Sequence, residues 1–231
     1  MNESGKFEKV FPDGTVLGQF QAALADWFDA EGEDYPWRRT RDPYAILVSE
    51  LMLQQTQIAT VLGRGYYTRW MKQFPDWETL AGANEEEILK AWEGLGYYNR
   101  ARNLRKAAIQ VRDEYAGECP REAKSLKELP GVGSYTAGAV ASFAHGVRAS
   151  IVDGNVSRVL SRIFDFREPV SGIRPRVAQS HPSTFASSLH LSCLWPPPWR
   201  ELLKERGLAI VVGDVLAAEL LLSCWPTGRW G

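Results

Sequence analysis

Leu129-Pro130-Gly131-Val132-Gly133-Ser134-Tyr135-Thr136-Ala137-Gly138 reads as a helix stop, a glycine turn and a helix start in ten residues. Pro130 ends one short helical pattern. Gly131 and Gly133 allow the backbone to take φ > 0 and to approach another surface closely. From Ser134 a new helical run begins, with Tyr135, Ala139, Val140 and Phe143 at the spacing of one face. The turn therefore lies at a helix N-terminus, where unpaired N–H groups and the helix dipole favour an anion. Such a unit is either an ordinary corner between two helices or a clamp that offers amides to a nucleic-acid phosphate without reading sequence. Fifteen residues beyond Gly138, Asp153-Gly154-Asn155-Val156 opens another helical run through Val159, Leu160 and Ile163. Asp153 stands where an N-cap would; capping alone accounts for it, and the same N–H groups would also hold it ionised.

Upstream, the spacing of Val16, Leu17, Phe20, Leu24, Trp27 and Phe28 predicts a helix from Thr15 to about Glu31, after a frayed leader over residues 1–14. Tyr35-Pro36-Trp37-Arg38-Arg39 is an extended link carrying aromatics and guanidinium groups. Asp42 and Pro43 suit the N-cap and first turn of a helix running to about Leu62, apolar nearly all round and therefore buried and central. Glu50 is its anomaly. Either it takes the one wet face, or it pairs with an arginine such as Arg38, or a low-dielectric site raises its pKa and keeps it protonated, as a general acid requires. Gln54-Gln55-Thr56-Gln57 then places four polar side chains on the same helix. They are either a solvated helix end or donors and acceptors suited to wedging into a base stack.

Tyr66, Tyr67, Trp70, Met71 and Phe74 mark an amphipathic helix closed by Pro75, and Asn84-Glu85-Glu86-Glu87 resembles a capping box. Gly94-Leu95-Gly96-Tyr97-Tyr98 is a second glycine turn, followed by Arg100, Arg102, Arg105, Lys106 and Arg112. That stripe is either a plain solvated face or a set of phosphate contacts behind an inserted aromatic tip. The whole chain has 231 residues and a net charge of −1, so any nucleic-acid surface must be local. No apolar run reaches the length of a membrane span, and the N-terminus has no secretory signal pattern, which sets the expectation of a cytoplasmic protein away from membranes. Cys119, Cys193 and Cys224 form neither a disulfide framework nor a metal pair.

The segment from about Trp27 to Phe164 resembles the helix-hairpin-helix DNA glycosylases, and within them the MutY-type adenine glycosylases. The resemblance rests on Pro36-Trp37-Arg38, on Ser49 through Gln57, on Gly94 through Leu104, on Leu129 through Gly133 and on Val152 through Val156, in that order. It implies an all-α glycosylase fold over residues 15–170, a six-helix barrel domain with an incomplete second helical domain. It further implies hydrolysis of the N-glycosidic bond of adenine mispaired with 8-oxoguanine or guanine in double-stranded DNA, by a monomer near the bacterial nucleoid. A thymine or uracil glycosylase acting on G mismatches, and an inactive DNA-binding remnant, are the alternatives. Glu50 matches the family's general acid and Asp153 the carboxylate that stabilises the oxocarbenium-like sugar, with Tyr135 and Asn155 in support. Trp37, Arg38 and Leu53 match the adenine pocket or its rim. Gln55 and Tyr97 match the side chains that wedge into the duplex, and Thr56 a contact to the opposing 8-oxoguanine. Gly131, Val132 and Gly133 match the phosphate clamp, where family members also bind a monovalent cation. The related endonuclease III has a lysine nucleophile at the position of Tyr135; a phenol of ordinary pKa about 10 is no substitute, so little strand-cleaving lyase activity is expected.

The resemblance stops near Ser171. The family continues with four cysteines that hold a 4Fe-4S cluster, whereas this chain has only Cys193 and Cys224 there, thirty-one residues apart. The abrupt change of composition predicts a divergent tail over residues 171–231, either the product of a reading-frame shift near residues 171–175 or a genuine lineage-specific tail.

Overall fold

The computed structural model describes residues 32–147 and 149–154, together with the single positions 22, 26, 28, 30 and 157. The chain divides into two compact units, Asp34–Ala149 on one hand and Met1–Glu33 with Ser150–Gly231 on the other. No strand occurs among the described residues. The predicted leader, the tail with Cys193 and Cys224, and Asn155 lie outside them. Ala22, Asp26, Phe28 and Ala30, the described positions within the expected first helix, are helical.

The unit Asp34–Ala149 is built around one helix. A 3-10 turn over Pro36–Arg39 leads to α1, Pro43–Leu53. Asp42 caps α1 as its sequence suggests, its carboxylate accepting from the amides of Tyr44 (3.0 Å) and Ala45 (3.4 Å). Tyr44, Ala45, Ile46, Leu47, Val48, Ser49, Leu51 and Met52 are all buried, so α1 has almost no wet face. Such a helix must be enclosed by others. Around it the chain winds α2 (Ile58–Gly63), α3 (Tyr66–Gln73), α4 (Trp77–Gly82), α5 (Glu85–Trp92), α6 (Asn99–Glu114), α7 (Ala123–Leu126) and α8 (Ser134–His145). α1 packs on α8, α6, α3 and α2; α6 packs on α4 and α5, and α7 on α8.

One expectation needs correction. The sequence pattern carries a single helix on to about Leu62, with Gln54–Gln57 along it, but α1 ends at Leu53 and the chain turns before α2 starts at Ile58. Gln55 there takes φ +57°, which no helix interior accommodates. The reason is a side chain from elsewhere that captures the carbonyls of the last turn, described below.

The other ends follow the sequence closely. Asn84 and Glu87 form a reciprocal capping box at α5, with bonds of 2.8 and 3.2 Å. α6 buries Ala101, Leu104, Ala107, Ala108 and Val111, one face at helical spacing. Between α1, α3, α4 and α5 lies an aromatic knot: Trp70 meets Trp92 edge-on at 5.1 Å and Phe74 at 4.9 Å, and Tyr44 meets Trp77 at 5.0 Å. Its one internal hydroxyl is fully used. Tyr44 donates to the Phe74 carbonyl (2.6 Å) and accepts from the Trp70 indole N–H (3.1 Å), and burial pushes its phenol well above the usual range. Tyr44→Phe leaves both groups buried and unpaired, and we predict a loss of about 1–3 kcal/mol in urea unfolding with an unchanged helical spectrum.

Candidate nucleic-acid interface

Two chain reversals define the site. The first follows α1, where Gln54, Gln55 and Thr56 form the turn; the second is Gly94–Tyr98 between α5 and α6. Gln55 and Tyr97 both hold left-handed backbones, φ +57° and +47°, unusual for residues with side chains. Both side chains are exposed, Tyr97 to 64%. Both line an open cleft of about 310 Å³, together with Gln54, Tyr98, Asn99 and Arg100. Two polar-tipped side chains from separate turns therefore project at one place.

Arg100, read from the sequence as one of a solvent-facing basic stripe, is instead 8% exposed and lies beneath both turns. Its Nη1 donates to the carbonyls of Leu51 and Met52 (both 2.9 Å) and of Gln54 (2.5 Å). Its Nη2 donates to Thr56 Oγ1 (3.3 Å) and to the carbonyls of Leu95 (3.1 Å) and Gly96 (3.2 Å). The guanidinium also stacks 5.4 Å from the Trp92 ring and 5.5 Å from that of Tyr97. A cation at the carbonyl end of a buried helix complements both its orphan acceptors and its dipole. Burial pushes the Arg100 pKa down, with Tyr97 acting in the opposite sense; an arginine stays charged regardless. The other arginines of the stripe are also engaged: Arg102 pairs with Glu85 (2.7 Å), Arg112 with Asp113 (2.6 Å), and Arg105 donates to the Ala83 carbonyl (2.9 Å). A row of arginines on a helix gave no sign of which one points inward; the glycine turn just before Arg100 was the available signal.

The hairpin connects α7 to α8. Gly131 takes φ +80°, as expected, and packs so closely on α6 that a Cβ there would lie 2.8 Å from the Asn103 Cβ. Gly133 does not share the expected geometry. It is the extended N-cap of α8, φ −84°, and a Cβ on it would meet nothing within 4 Å. Val132 is 6% exposed, with its amide bonded to the Leu129 carbonyl (3.1 Å), so it anchors the turn between the exposed Gly131 and Gly133. Tyr135 is half-buried in the first turn of α8, and Glu50 half-buried near the end of α1, the helix against which α8 packs. Leu53, also half-buried, closes α1. Trp37 is 5% exposed, edge-on to Tyr67 at 5.1 Å, and the buried Arg38 guanidinium lies 4.7 Å over the Tyr35 ring. In the other unit, the Asp153 carbonyl accepts from the Ser157 amide (3.1 Å) and hydroxyl (2.6 Å), which is the N-cap position predicted for it.

Residues 48–171, more than half of the chain, match the family described as HhH-GPD superfamily base excision DNA repair protein. The chain belongs to that superfamily. Over 163 residues it is 48% identical to the adenine DNA glycosylase of Homo sapiens, a match covering 67% of this chain and 30% of the human protein. It spans about a third of the length of the mammalian relatives it matches. Among solved structures, a thermostable thymine-DNA glycosylase superposes with TM-score 0.59 at 34% identity, over 64% of this chain and 69% of that one. A non-covalent endonuclease III–DNA complex does so with TM-score 0.56 at 28% identity, over 69% and 75%.

The 4Fe-4S cluster that the resemblance implies needs four thiolates, which the three cysteines of this sequence cannot supply. Cys119 is the one cysteine among the described residues; it is buried, and burial pushes its thiol up to about 12, the opposite of a thiolate ligand's environment. No cluster of His, Cys, Asp and Glu able to hold a metal ion occurs among the described residues, nor does a helix long and apolar enough to cross a membrane. For the hairpin, the geometry separates its two glycines. Gly131→Ala should cost about 2–3 kcal/mol through left-handed strain and the Asn103 clash. Gly133→Ala should cost less than about 1 kcal/mol. Thermal denaturation of the two variants measures the difference.

Proposed function

We propose that this chain is a DNA glycosylase that removes adenine from mismatches with 8-oxoguanine or guanine by hydrolysis. The observation that carries the reading is the convergence of Gln55 and Tyr97, exposed and in left-handed conformations, on one cleft. A base inside the stack cannot be reached, so an enzyme acting on it must extrude it, at a cost of a few kcal/mol, and fill the gap. Two pre-positioned wedges suit that task, and the similarity to adenine DNA glycosylases supports adenine as the base.

The chemistry follows from the resemblance and the local settings. Glu50, in a helix that is almost wholly buried, gives a proton to N7 of the extruded adenine. The glycosidic bond breaks, the base leaves with that proton, and water adds to the sugar carbon. Asp153 stabilises the positive charge that develops on the sugar. Tyr135, lacking an amine, leaves the strand intact. The hairpin amides at the start of α8 hold a phosphate.

A single-turnover assay on a duplex with A opposite 8-oxoguanine tests this. Wild type should release adenine, and Glu50→Gln should slow release by about 10²–10⁴-fold while binding the duplex with unchanged affinity. The similarity to a thymine-DNA glycosylase structure favours one rival, thymine removal from G·T, which a parallel duplex reads directly. Release of thymine in place of adenine, or equal inactivity of wild type and variant at equal DNA affinity, overturns the proposal.

A further inference from the structure

We infer that Arg100 is a positioning residue that locks Gln55 and Tyr97 into a single wedge, so that base extrusion depends on a buried side chain beneath both. The inference rests on the reading of those two residues as wedges. Its basis is the way one guanidinium divides its donors. Nη1 holds the end of α1 through Leu51, Met52 and Gln54, and Nη2 holds both the Thr56 hydroxyl and the Leu95 and Gly96 carbonyls. Gln55 lies between two of these contacts, Gln54 and Thr56. Tyr97 follows Gly96 directly, and its ring lies over the same guanidinium. Trp92 reinforces the second turn, its indole N–H donating to the Gly96 carbonyl at 3.1 Å.

The backbone explains why such a tie is needed. Gln55 and Tyr97 both occupy the left-handed region, where a residue with a side chain relaxes unless its surroundings over-determine it. Each turn alone is short and partly solvent-exposed. Anchored to a common buried cation, neither can relax without breaking bonds shared with the other. The planar fork of arginine is essential to this geometry: two separate nitrogens serve two separate turns. A lysine carries the same charge on one nitrogen and cannot reach both sets of acceptors.

The test uses the full chain as wild type, Arg100→Lys, Tyr97→Ala and the double variant. Amide hydrogen exchange without DNA reads the tie itself. In Arg100→Lys, exchange should rise at least about tenfold in both residues 54–57 and 95–98, and by less than about twofold in residues 104–111 of α6. Base extrusion is read separately by the fluorescence rise of 2-aminopurine placed opposite guanine in a duplex. Arg100→Lys should lose most of that rise at saturating protein, and adding it to Tyr97→Ala should change the signal by less than about twofold, because the two act through one wedge. Loosening of only one turn, of neither, or of the whole chain equally overturns the inference, the last because Arg100 would then be a general core residue. A wild-type fluorescence rise in Arg100→Lys despite loosened turns overturns it as well. A wild type with no fluorescence rise counts against the proposed function, and the exchange pattern then decides on the tie by itself.

Discussion

A helix enclosed on nearly every side has no water with which to satisfy the carbonyls of its last turn. α1 is such a helix, and the rest of the unit is arranged around that requirement. Apolar surface is easily covered by α3, α6 and α8, but the orphan acceptors at Leu51, Met52 and Gln54 need donors. Arg100 supplies them from a helix whose start lies more than forty residues further along the chain. Neutralisation comes from carbonyl dipoles and two aromatic faces, with no carboxylate paired to it among the described residues. The same side chain ends the helix, shapes the turn behind it and reaches the glycine turn before α6. Stability and site geometry are therefore one matter in this part of the molecule.

Much of the architecture was legible because it is written locally. The Asp42 cap, the Asn84–Glu87 box, the apolar face of α6 and the Pro-Gly break before α8 are all short-range signals, and each lies where its residues place it. What escaped is long-range. The apolar periodicity that carries α1 runs on through Ile58 and Val61, so nothing nearby announces the interruption at Gln54. It depends on a partner whose role no neighbouring residue reveals, since Arg100 belongs to a run of arginines that look alike in sequence. Gly131 and Gly133 likewise look equivalent, yet only the first is pressed against another helix. Gln55 and Tyr97 were singled out through resemblance; the tie that joins their two turns is visible only in the structure.

Belonging to the superfamily gives this fold its general setting, and the chemistry assigned to Glu50 and Asp153 is a proposal laid on that setting. The two carboxyl groups differ in kind. Glu50 is half-buried near the end of an enclosed helix, whereas Asp153 lies where its carbonyl accepts from the Ser157 amide.

Arg100 and Asn103 are three residues apart on α6, hence neighbours on one face. The first carries the two turns that bear Gln55 and Tyr97; the second is the surface on which the hairpin's Gly131 rests. One helical turn thus serves as a gauge between the hairpin and the two turns that bear Gln55 and Tyr97, with a rise of about 4.5 Å between their mounting points. A duplex gripped by the hairpin would meet those turns at a preset spacing, and inserting or deleting a single residue between positions 100 and 103 would swing one mount about 100° away from the other.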